Sequence, residues 1–125
     1  APAHTARRFE CGSPNMMGIH ALAASLSRIE EVGIDRIEER LLERSRHLLA
    51  GIEASGSLTL VTDARPGRYA GIVTFQNRRQ SAELLYRRLS EQGVVCAARA
   101  GGIRFSPHFY TPIEQLDRAL ELAEV

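Results

Sequence analysis

The chain has no lysine. All sixteen of its basic residues are arginine, so these 125 residues cannot form a lysine Schiff base. Cysteine is scarce as well. Cys11 and Cys96 lie far apart in the sequence and make neither a CxxC pair nor a disulfide framework, which points to a reducing compartment and a cytoplasmic setting. The four histidines are scattered without metal-ligand spacing. Apolar runs are too short to span a bilayer, and no signal-peptide pattern opens the chain. The net charge is only +1, and the arginines alternate with glutamates along helical stretches. That pattern describes solvated helix faces rather than a nucleic-acid patch. There are no internal repeats and no low-complexity segments.

What remains is ordinary globular material. At 44% hydrophobic and 25% charged, 125 residues suffice for one domain with one core. The chain does not begin with Met, and residues 1–6 read as a loose lead-in, so the expectation is a piece of a longer polypeptide.

A helix is expected from about Pro14 to Val32, capped by Ser13, with Ile19, Leu22, Ala23, Leu26 and Ile29 forming one apolar stripe. Gly33 ends it. A second helix runs from about Asp35 to Ala54. Ile34, Ile37, Leu41, Leu48 and Ile52 mark its inner face, and Glu38, Glu39, Glu43 and Arg46 its outer one. The period then shortens to that of strands at Leu58–Thr62 and Tyr69–Phe75. A helix from Ser81 to Gln92 follows, stopped by Gly93. Strands at Val94–Ala97 and Ile103–Ser106 flank Ala100-Gly101-Gly102, which suggests a hairpin. Thr111-Pro112-Ile113-Glu114 reads as a capping box opening the last helix, whose inner face is Ile113, Leu116, Leu120 and Ala123. The fold class expected is α+β: a small, mostly antiparallel four-stranded sheet backed by helices, in the order α-α-β-β-α-β-β-α.

Few residues suggest chemistry. Arg104 stands within a short apolar strand, where a charge is costly unless paired. Its planar fork matches a carboxylate. The alternative is an arginine on the solvent face of an edge strand. Ser106-Pro107-His108-Phe109-Tyr110 holds an acid–base candidate with no nucleophile nearby, a pattern more typical of structural histidine. Cys96, in an expected strand, reads as a structural thiol. The Gly12-Ser13 step before a helix could offer N–H groups and a hydroxyl to a phosphate, or could be a simple cap.

Two segments together resemble a known family. Residues 8–22, RFECGSPNMMGIHAL, are similar to the stretch that opens the C-terminal region of class V aminotransferase-type enzymes. Residues 101–120, GGIRFSPHFYTPIEQLDRAL, are similar to that family's closing segment. The family includes cysteine desulfurases, kynureninases and isopenicillin-N epimerase-like proteins, all pyridoxal-phosphate enzymes of fold type I. The resemblance covers Arg7 to Val125. It implies that Arg104 holds the substrate's α-carboxylate. It also implies that Ser13 reaches the phosphate of pyridoxal 5'-phosphate in a neighbouring subunit.

The implied partners are a large cofactor-binding domain of the same polypeptide, a second copy in a homodimer and an amino-acid substrate, with no nucleic acid and no membrane. The family's asparagine after the tyrosine is replaced here by Thr111. The span from Gly93 to Arg104 is too short for the loop that carries a desulfurase's persulfide-forming cysteine. With the lysine absent, the expectation is a domain that is inert alone. The rival expectations are a stand-alone carboxylate-binding or regulatory module, and an RNA-binding domain using Tyr69, Phe75 and Phe105.

Overall fold

The computed structural model describes residues 3–10 and 12–125. The described chain divides into two compact units, one ending at Ile34 and the other spanning Asp35–Val125.

In the first unit a short 3-10 turn, Ala6–Phe9, precedes helix α1, Met16–Val32. The cap differs from expectation. Asn15, not Ser13, caps α1 by accepting the Gly18 N–H on its side-chain oxygen at 3.0 Å, and Pro14 lies outside the helix. Asparagine's short carbonyl is as good a cap as a serine hydroxyl and sits one turn before a free N–H. Gly33 ends α1 as expected, at a positive φ of 88°. No residue of α1 is buried. Leu22, in the middle of the expected apolar stripe, is 60% exposed.

The second unit holds the sheet. Strands β1 (Leu58–Leu60), β2 (Val73–Asn77), β3 (Ala97–Arg99) and β4 (Gly102–Phe105) pair antiparallel throughout in the spatial order β1-β2-β4-β3. Helices α2 (Ile34–Ala54), α3 (Ala82–Glu91) and α4 (Ile113–Glu124) supply the rest of the core. The α+β class and the element order are as expected. Strand alternation puts Leu58, Val73, Phe75, Ile103 and Phe105 on one face. These join Leu48, Leu49 and Ile52 of α2, Leu85 and Leu89 of α3, and Leu116, Leu120 and Ala123 of α4 in one buried cluster. Phe75 and Phe105 meet edge to face at 5.0 Å between ring centres.

Three strands are displaced from their expected positions, each by a specific hydrogen bond. β2 begins at Val73, not Tyr69, because Ser45 of α2 donates its hydroxyl to the Ala70 carbonyl at 2.6 Å and takes that stretch out of the ladder. At its far end β2 gains Asn77, whose buried side chain donates to the Ala123 carbonyl at 2.7 Å. β1 stops at Leu60, because the N–H groups of Val61 and Thr62 both turn to the Thr74 carbonyl. β3 begins at Ala97, because the Val94 N–H bonds back to the Leu89 carbonyl at the end of α3.

The hairpin is real and tight. Ala100 and Gly101, both at positive φ (51° and 71°), form a two-residue connection between Arg99 and Gly102. The last helix lacks the expected capping box. Thr111 spends its hydroxyl accepting the His108 N–H, and Pro112 is the N-cap with no side-chain bond.

Candidate carboxylate site

Arg104 lies on β4, an interior strand flanked by β2 and β3, so the edge-strand alternative does not hold. Its cross-strand neighbours are Thr74 of β2 and Ala97 of β3. Ile103 and Phe105 on either side point into the core, so Arg104 projects from the opposite face of the sheet. That face also carries Thr59, Gln76 and Arg99 and contains no acidic strand residue. Arg104 is half-buried, and its Nε is buried without a hydrogen-bond partner among the described residues. Buried polar atoms are nearly always paired, and a guanidinium more so, because losing water without a replacement costs on the order of 1–3 kcal/mol. An interior arginine with an unmet donor is therefore suited to an anion supplied from outside these residues, and a planar carboxylate fits its fork best.

The backbone around Arg104 is held from two directions. On the hairpin side, Gly102 runs so close to β2 that an added Cβ would collide with the Phe75 carbonyl. On the exit side, buried Arg44 of α2 donates from Nε to the Thr111 carbonyl at 2.6 Å and from Nη1 to the Arg40 carbonyl at 2.9 Å. Arg44 was missed by the sequence reading. It lies three residues after Leu41 and four before Leu48, on the inner face of α2, and that heptad position was the available signal.

The other candidates separate. Ring centres of His108 lie 4.3 Å from Tyr110, nearly parallel, and 4.7 Å from Phe109, which suits the structural reading of this histidine. Cys96 is a free thiol just before β3 rather than inside it, and burial pushes its pKa up, opposite to what a thiolate nucleophile needs. The two-residue turn between β3 and β4 leaves no room there for a cysteine-bearing loop. Cys11 lies outside the described residues. Ser13 is exposed, beside Gly12 at a φ of 88°, and is not part of the α1 cap. No group of three metal-ligating side chains occurs among the described residues, and no helix among them is long and apolar enough to cross a membrane.

Known proteins match this chain along nearly its whole length. The family model described as aminotransferase class-V matches residues 2–118. The uncharacterized aminotransferase YcbU of Bacillus subtilis is 31% identical over 121 residues, covering 97% of this chain and 32% of that protein. A probable cysteine desulfurase of Pyrococcus abyssi is 29% identical, covering 94% and 32%. Among solved structures, the apo cysteine desulfurase of Thermococcus onnurineus superposes with a TM-score of 0.85 at 23% identity, over 95% of this chain and 33% of that one. The cystine C-S lyase C-DES, in complex with cysteine persulfide, superposes with a TM-score of 0.83 at 23% identity, over 98% and 33%. A variant of that lyase carries glycine covalently linked to its PLP cofactor. The chain thus spans about a third of the length of the curated relatives it matches. By the family model and the conserved fold, it belongs to the aminotransferase class-V family.

Proposed function

We propose that this chain is the small C-terminal domain of a pyridoxal-phosphate enzyme acting on an amino acid, and that its chemical task is to hold the substrate's α-carboxylate on Arg104. The observation that carries this reading is the unmet Nε of Arg104 on an interior strand, on the face opposite the core. A bidentate Arg–carboxylate contact fixes both the position and the rotation of the amino acid. It sets which bond at the α-carbon lies across the cofactor plane, and such orientation lowers the barrier by removing freedom in advance. Pairing of β4 with β2 and β3, and the close Gly102–Phe75 backbone approach, keep the strand, and with it the guanidinium, in one place.

The chain's residues fit part of what such a cofactor requires. The hydroxyl of Ser13 is exposed and free to meet a phosphate, as the family resemblance implies. With no lysine among the 125 residues, the covalent anchor must come from elsewhere in the polypeptide. Pyridoxal phosphate, when bound, supplies the electron sink for bond cleavage at the α-carbon. The partners in this reading are a large cofactor-binding domain of the same polypeptide and a second copy in a homodimer, in the cytoplasm. The isolated chain is inert. The raised pKa of Cys96 and the short β3–β4 turn speak against persulfide chemistry at Cys96.

Steady-state kinetics of Arg104→Ala in the full-length enzyme test the assignment. The expected result is a rise of at least about tenfold in KM, the loss of one charged hydrogen-bonded contact. Unchanged KM and kcat would remove Arg104 from the site.

A further inference from the structure

The outward face of the sheet carries a second guanidinium that the reading above leaves unused. Arg99 ends β3 opposite Gly102, while Ala97, two residues earlier, lies opposite Arg104. Residues two apart on a strand share a face, so Arg99 and Arg104 project from the same side as diagonal cross-strand neighbours, with Cα atoms about 7–8 Å apart. Between them Gly102 contributes no side chain, and the Phe75 carbonyl forbids one there. Gln76, the next residue on that row, is drawn toward the hairpin by its 3.1 Å bond to the Gly101 carbonyl. Its Cγ lies close over Gly102, and Arg99 and Arg104 stand beside it on the same face.

Among the described residues no acid pairs with these charges. The strand residues sharing the face are Thr59, Thr74, Gln76 and Ala97. Neither Arg99 nor Arg104 makes an ion pair among the described residues, although arginines elsewhere do, as Arg65 and Arg68 do with Asp63. Two like charges on neighbouring strand positions repel, and a counter-anion between them turns that repulsion into attraction.

We infer that the ligand of this face is a dianion: an amino acid with a second carboxylate on its side chain, the α-carboxylate held by Arg104 and the distal one by Arg99. This rests on the Arg104 reading and adds the substrate class to it. Arg104 is half-buried and anchors the common group. Arg99 is exposed at the rim, near the hairpin, and selects the distal one.

Calorimetric titration of the full-length protein with succinate and with succinamate, its monoamide, reads the second charge alone. Succinate binds about tenfold tighter than succinamate, the worth of one charged contact. Arg99→Ala brings that ratio close to one, while Arg118→Ala, which removes an exposed positive charge on α4, leaves it in place. Arg104→Ala weakens both ligands. Equal affinity for the two acids, a ratio that survives Arg99→Ala, or an equal loss in Arg118→Ala overturns the dianion reading. If both ligands weaken in Arg104→Ala without any preference for the diacid, the Arg104 reading stands without this one. Binding that ignores Arg104→Ala, or no binding of either acid, overturns both.

Discussion

Helix α1 and helix α2 both carry an apolar stripe, yet only that of α2 is buried. In α1, Ile19, Leu22, Leu26 and Ile29 line up as expected and all remain exposed. In α2, Ile37, Leu48, Leu49 and Ile52 are buried, and the last three join the cluster built on Phe75 and Ile103. The same periodicity therefore reports two different things. It shows which way a helix would face, and it is silent on whether the partner lies in the same stretch of chain. The second unit contains its own partners: a sheet face, two further helices, and side chains such as Asn77 and Arg88 that close the end of α4.

The contrast is open to direct attack. Phe75→Ala removes the largest fully buried side chain and should cost this chain about 3–5 kcal/mol in denaturant unfolding. Leu22→Ala should change stability by no more than about 0.5 kcal/mol. Equal effects would show that α1 contributes to the same cooperative core. Two of the close-packed glycines sharpen the point. Gly102→Ala drives a Cβ into the Phe75 backbone and should cost about 1–3 kcal/mol. Gly18→Ala meets only the side chain of Asn15, which can turn aside. There the lost cap, about 1 kcal/mol, and the gain in helix propensity, also about 1 kcal/mol, nearly cancel.

The smallest effect concerns the surface turn of the second unit. Arg65 beside Asp63, bonded through both side chain and backbone, holds the Asp63 carboxyl below its ordinary value. The contact is present at neutral pH and is lost as the pH falls through that lowered value. Arg65→Ala should move the Asp63 midpoint upward in an NMR titration. A midpoint that stays put would mean the pair is not formed in solution.

Much of this was legible in the sequence, and the misses share a cause. The helices α1 to α4, the stops at Gly33 and Gly93 and the hairpin at Ala100-Gly101 follow from periodicity and turn chemistry, which are local. The start of β2, the end of β1 and the cap of α4 were misplaced. In each, a hydrogen bond redirects the backbone, and for β2 it comes from Ser45, 25 residues away. Arg104 was legible as a residue but ambiguous in role, because alternation cannot tell an edge strand from an interior one. The spatial order β1-β2-β4-β3 resolves that. Arg99 fell outside the expected third strand, which ended at Ala97, and its place on the outward face depends on the register that puts Ala97 opposite Arg104.

Carboxylate recognition by Arg104 is tested by two ligands that differ only at that group. Calorimetric affinities of the full-length protein for L-alanine and L-alaninamide should favour the acid by about tenfold or more, and Arg104→Ala should erase that preference. A preference of the same size in the wild type and in Arg104→Ala would contradict the account.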